Sequence, residues 1–146
     1  MRIESPAFGE GEPIPPRYTA DGEDVSPPLR IEGVPEGTRT LALVVDDPDA
    51  PMGTWVHWVV WNVPADATAF PEGGVPEGAV EGVNSWGRRG WGGPSPPSGT
   101  HRYFFRLYAL DTRLDLPPTA DRRALEAAMR GHVLAEAVTM GRYTRR

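Results

Sequence analysis

Three residues with acid–base or hydrogen-bonding chemistry stand at the ends of the chain's most apolar runs. Asp47 closes "LALVVDD" (41–47), His57 sits near the start of "WVHWVVWNV" (55–63), and His101 opens "HRYFFRLYAL" (101–110). Each run is rich in β-branched and aromatic residues and reads as a buried strand. Side chains alternate across a strand. On that rule Asp47 shares a face with Leu41, Leu43 and Val45, and His57 with Val59, Trp61 and Val63. His101 and Tyr103 share a face with Phe105, Leu107 and Ala109, while Arg102 and Arg106 mark the opposite face as the solvent side. A buried ionisable group is costly unless paired. The expectation is therefore that Asp47, His57 and His101 meet one another, with Asp47 orienting a ring and favouring its protonated form.

The stretch directly before His101, "GGPSPPSGT" (92–100), is rigid turn material. Its backbone N–H groups around Gly93 and Ser95, together with protonated histidines, could grip a phosphate or carboxylate. Trp55, Trp86 and Trp91 are candidate walls. The competing reading is a polar plug that locks strand ends together. Catalysis is poorly supported. No GxSxG and no cysteine supplies an activated nucleophile, so a hydrolase built on the His/Asp cluster is the alternative to simple binding. A metal held by two histidines and a carboxylate is a further arrangement that the residue types allow.

The elements that position these residues follow from punctuation. Gly and Pro number 17 each, against about 10 and 7 at average usage. They fall between strongly apolar runs, one of which carries three of the five tryptophans, which fits rigid turns between short strands rather than disorder. "EGEPIPPRYTADGEDVSPPLR" (10–30) reads as looping surface chain, and residues 64–100 hold one or two weak strands. "ADRRALEAAMRGH" (120–132) reads as a helix, capped by Thr119 or Asp121 and ended by Gly131, with a strand after it. The fold class is mainly β: an antiparallel Greek-key sandwich with one or two short helices near the C-terminus, forming one domain over residues 1–146.

A formal charge of -5 disfavours a nucleic-acid surface. No stretch approaches the roughly 20 apolar residues of a membrane span, and no apolar leader opens the sequence. The expectation is a soluble, cytoplasmic protein without disulfides.

The segments "DDPDAP" (46–51), "WVHW" (55–58), "GGPSPPSGTHRYFFRLYALD" (92–111) and "ALEAAMRGHVLAEA" (124–137) together resemble the phosphatidylethanolamine-binding protein family, also called Raf kinase inhibitor-like proteins, in its bacterial and archaeal branch. The resemblance implies a β-sandwich with a shallow anion pocket at one end, holding phosphate, phosphoethanolamine or a similar anion, with no cofactor and no metal. By motif position its lining would be Asp47, Pro51, Trp55, His57, Gly93, Ser95, Pro97, His101 and Tyr103. Asp49 would brace the DPDAP loop, and Ala50–Pro51 is a candidate cis peptide. Members of the bacterial branch are often dimers, which leaves a homodimer open. The resemblance also leaves open regulation of a partner such as a kinase or protease, through the pocket or through surface loops. The gating C-terminal helix of mammalian relatives is not expected here, and the segment between DPDAP and WVHW lacks a tyrosine that eukaryotic relatives place there.

Overall fold

A computed structural model describes residues 1–145. Three long strands carry the fold: β3 (Thr40–Asp47), β4 (Trp55–Pro64) and β7 (Gly99–Leu110). They pair antiparallel with β7 beside β3, and the short β6 (Val80–Glu81) and the long β8 (Val133–Arg145) complete a sheet of order β6-β4-β3-β7-β8. A second sheet, β1-β2-β5, is built from Arg2–Glu4, Leu29–Glu32 and Ala69–Phe70. The expected mainly β sandwich is the observed fold, with one α-helix among the described residues, α1 (Arg122–Met129). Within residues 10–30, expected to loop, lie a 3₁₀ turn at Pro16–Tyr18 and the start of β2. No helix among the described residues is long and apolar enough to cross a membrane.

The core lies between the sheets. Leu43, Val45, Trp58, Val60, Phe105 and Leu107 meet Ile3, Leu29, Ile31 and Phe70 from the smaller sheet. The opposite face of the large sheet is not solvent-facing throughout. Ala42, Val44, Val59, Trp61 and Leu110 pack there against Leu125 and Met129 of α1 and against Leu114. Arg106 on that face is half-buried because it pairs with buried Asp46 at 2.9 Å, and Arg122 of the helix reaches the same carboxylate at 2.7 Å. Arg106 and Arg122 therefore dock the helix onto the sheet through Asp46, so of the two arginines read as marking solvent Arg102 is exposed and Arg106 is not.

The helix begins where expected. Asp121 accepts the Ala124 N–H at 3.0 Å and is the cap, not Thr119. Gly131 follows the last turn at φ 82°, a left-handed conformation that costs glycine little.

Strand β4 departs from simple alternation. Asp46 pairs with Val56 and Val45 with Trp58, so His57 is an extra residue. A second irregularity places Trp61 and Asn62 opposite Ala42, with Asn62 at φ 53°. Between the two bulges the faces are inverted. Trp58 and Val60 enter the inter-sheet core, and Val59 and Trp61 lie under the helix. The expectation that His57 shares a face with Val59 and Trp61 is overturned by the first bulge, and Val63 returns to the inter-sheet core after the second.

Candidate functional site

The end of β3, the β3–β4 loop, the start of β4 and the start of β7 converge at one end of the sandwich around a cavity of about 270 Å³. Of the residues singled out in the sequence, Asp47, Pro51, Trp55, His57, Ser95, Pro97, His101 and Tyr103 line it, and so does Trp86. Ala50, Met52, Gly53 and Pro96 complete the wall. These four carry no distinctive chemistry, so only the chain path brings them into view.

Asp47 and His101 form the buried polar centre. The His101 Nδ1–H donates to Asp47 Oδ2 at 2.6 Å, and both residues are less than a tenth exposed. Asp47 Oδ1 also accepts the Asp49 N–H at 2.8 Å, which fixes the carboxylate against its own loop. His57 does not join this pair. Its Nδ1–H donates to the Gly92 carbonyl at 2.6 Å, while the Gly92 N–H returns a bond to the His57 carbonyl at 3.0 Å. The expected meeting of all three residues is therefore a meeting of two. The third is tied to the loop that precedes β7.

Rings hold His57 in place. Trp86 and Tyr103 approach it edge-on, with centroids 5.0 and 5.1 Å away. Burial holds His57 below the ordinary imidazole value, with the Gly92 carbonyl and the Asp47 carboxylate opposing that shift. Burial likewise pushes the Tyr103 phenol above its ordinary value. A neutral His57 with hydrogen on Nδ1 keeps Nε2 as a bare acceptor. His101, bonded through Nδ1, likewise keeps Nε2 for a ligand.

Two further groups on the wall are unmatched. Tyr103 O–H and Trp55 Nε1–H are buried and find no partner in the protein, two of three such side-chain groups among the described residues. Buried polar groups without a partner are uncommon and need an explanation.

The surrounding loops are braced from outside. Asp49 receives the Arg102 N–H at 2.9 Å and two bonds from its guanidinium at 2.9 and 2.8 Å. Arg102 thereby holds the Asp49 carboxyl below its ordinary range. This is the bracing role expected of Asp49. The Ala50–Pro51 peptide is trans, as are all others among the described residues, contrary to the expected cis bond. The chain reverses instead in a turn closed by the Gly53 N–H on the Ala50 carbonyl at 3.2 Å, with Gly53 at φ 107°.

Gly93 lies outside the cavity wall. Its N–H donates to Asp24 Oδ1 at 2.8 Å, and a Cβ there would stand 2.4 Å from that oxygen and from the Tyr18 carbonyl. The residue is glycine because two segments touch at that point. Trp91 is also away from the cavity. It packs between Trp58 and Phe105 and directs its Nε1–H to the Tyr18 carbonyl at 3.3 Å. The described residues contain no group of three His, Cys, Asp or Glu side chains disposed to hold a metal ion.

Comparison with known proteins agrees with this architecture. The family model for "Phosphatidylethanolamine-binding protein" matches residues 4–144. A UPF0098 protein of Methanothermobacter thermautotrophicus is 52% identical over 99% of both chains. A UPF0098 protein of Aquifex aeolicus is 47% identical over 99% of this chain and 89% of that one. Among solved structures, the phosphatidylethanolamine-binding protein homologue CT736 of Chlamydia trachomatis superposes with a TM-score of 0.95 at 39% identity, covering 99% of this chain and 97% of that one. E. coli YbcL, described as a member of the mammalian family, gives a TM-score of 0.93 at 32% identity, with 99% and 98% covered.

Proposed function

The chain belongs to the phosphatidylethanolamine-binding protein family, and on that premise we propose that its cavity binds a small phosphate-bearing anion, such as phosphate or phosphoethanolamine, without transforming it. The observation that carries this reading is that four residues lining one cavity carry hydrogen-bonding groups unmatched within the protein. Tyr103 O–H and Trp55 Nε1–H are donors without acceptors. The rings of His57 and His101 are each anchored through Nδ1, which leaves both Nε2 atoms for a ligand. An oxyanion has enough lone pairs to satisfy these donors together, each charge-assisted bond contributing about 1.5–3 kcal/mol. The aromatic and proline surfaces of Trp55, Trp86, Pro51 and Pro97 exclude water around it and suit the carbon skeleton of a headgroup.

The non-catalytic part of the reading rests on the one serine lining the cavity. Ser95 Oγ is partnered by the Arg145 guanidinium at 3.3 Å, a cation that cannot take up a proton. Among the described residues no imidazole or carboxylate is hydrogen-bonded to Ser95 Oγ to activate it as a nucleophile.

The test is a histidine-resolved NMR titration with inorganic phosphate and with phosphoethanolamine. His132, paired with Asp111 at 2.7 Å and absent from the cavity wall, is the internal control. His57 and His101 resonances are expected to move together while His132 stays fixed, and His101→Ala to weaken binding at least tenfold with the β-sheet spectrum retained. Equal phosphate affinity in wild type and His101→Ala would overturn the assignment of this cavity.

A further inference from the structure

The cavity wall holds no arginine or lysine, and its one carboxylate, Asp47, is already bonded to His101. An anion placed there meets two rings, two neutral donors and no permanent positive charge. One guanidinium among the described residues is nevertheless hydrogen-bonded to a side chain of the wall. Arg145, in the last residues of β8, lies across from Gly99 in the β7–β8 pairing and so beside the loop that ends at β7. Its Nη1 donates to Ser95 Oγ at 3.3 Å.

Arg145 is held back by one competitor. Its Nη2 and Nε donate to Asp21 at 2.6 and 3.3 Å, and Tyr143 O–H donates to the same carboxylate at 2.7 Å. A guanidinium has five N–H donors in a planar fork that matches phosphate and carboxylate oxygens. Three are engaged here, one of them in a long bond to a hydroxyl, so two are unspent. The side chain is about a third exposed on a long stem, which lets it turn about Ser95 without unfolding anything. Asp21, in the loop after the 3₁₀ turn, pairs with no other cation among the described residues and can be left with Tyr143 and solvent.

We propose that Arg145 is a ligand-binding residue of this cavity, supplying the permanent positive charge at its rim, and that Asp21 is its internal competitor. This rests on the anion-binding reading above and deepens it. A site built from rings and neutral donors distinguishes a dianion from a monoanion weakly. A guanidinium that exchanges one carboxylate for the ligand favours the more highly charged oxyanion and gives the affinity a salt dependence.

The experiment is calorimetric titration of inorganic phosphate, in low and moderate salt, into wild type, Arg145→Gln, Asp21→Asn and the double variant. Both residues lie at the surface, and the β8 amide resonances report that each variant stays folded. Arg145→Gln is expected to weaken phosphate about tenfold and to flatten the salt dependence. Asp21→Asn is expected to tighten it several-fold, and that gain is expected to vanish in the Arg145→Gln background, since removing a competitor matters only while the cation is present. Weakening by Asp21→Asn would instead make the ion pair a brace for the 93–98 loop, and an equal gain in both backgrounds would make Asp21 a simple repulsive charge. Either result overturns the inference, as does unchanged affinity in Arg145→Gln, while the anion site itself stands. Wild type that binds no phosphate overturns both.

Discussion

Occupation of the cavity by an oxyanion without hydrogens of its own should take up one proton at His57. The Gly92 carbonyl, 2.6 Å from Nδ1, can only accept, so Nδ1 carries the hydrogen and the neutral ring offers a lone pair at Nε2. Burial holds the ring below the ordinary imidazole value of 6.5, and Asp47, Asp46 and Asp24 act against that shift without reversing it. The free protein at pH 7 is therefore neutral at this ring, and an anion against Nε2 must bring the second ring proton with it. Above the pKa of the ring, one proton per site makes affinity fall tenfold per pH unit, about 1.4 kcal/mol. Phosphate blurs the measurement, because its own P–OH can donate to the lone pair. Sulfate does not titrate in this range and is the cleaner probe. Titration calorimetry of sulfate between pH 6 and 8, in two buffers of different ionisation enthalpy, counts the protons directly. Wild type is expected to take up one proton more than His57→Gln. Equal counts would show that His57 is not the proton acceptor and would refute the reasoning from its tautomer. Stability depends on pH with the opposite sign. The folded pKa lies below the unfolded one, so the unfolded chain binds this proton more readily. The penalty is absent well above pH 6.5 and grows as pH falls toward the folded value, and His57→Gln should remove that component from acid unfolding.

Two further outcomes test the scaffold. Asp46→Ala deprives Arg106 and Arg122 of a carboxylate that is 1% exposed; because both guanidinia can still reach water, the expected loss is about 2–3 kcal/mol, below the range for fully buried pairs, read as a lower midpoint in urea with α1 amides losing protection first. Gly93→Ala forces a Cβ to within 2.4 Å of Asp24 Oδ1 and the Tyr18 carbonyl, so it should cost about 1–3 kcal/mol in thermal unfolding, displace the Ser95–Pro97 wall and weaken phosphate binding.

The sequence shows the ends of the site more clearly than its middle, and β4 explains why. Asp47 and His101 were legible because β3 and β7 pair without a break from Asp46–Phe104 to Thr40–Leu110, so simple alternation carries each polar residue to the end of an apolar row. The same rule applied to β4 assigns His57 to the face of Val59 and Trp61, which in fact lies under α1. The run "WVHWVVWNV" is apolar at nearly every position because both faces of β4 are covered, one by the smaller sheet and one by the helix. A strand buried on both sides carries no alternation from which a bulge could be read. Asn62 was the available sign, since a left-handed asparagine inside an apolar run suggests a bulge, but it marks the second irregularity and not the one at His57. The partners of the outer loops were less legible still. Asp24 on Gly93, Asp21 on Arg145 and Arg102 on Asp49 span 53 to 124 positions in the chain, and no local pattern encodes such pairings. The bulge has a functional consequence that regular pairing could not supply. It lets Trp55 and His57 reach the cavity and, one residue later, Trp58 enter the core beneath it. A β4 without the extra residue would have to give up either the ring that meets the ligand or the tryptophan that supports the site, so the irregularity that hid His57 from simple alternation is also what places it on the cavity wall.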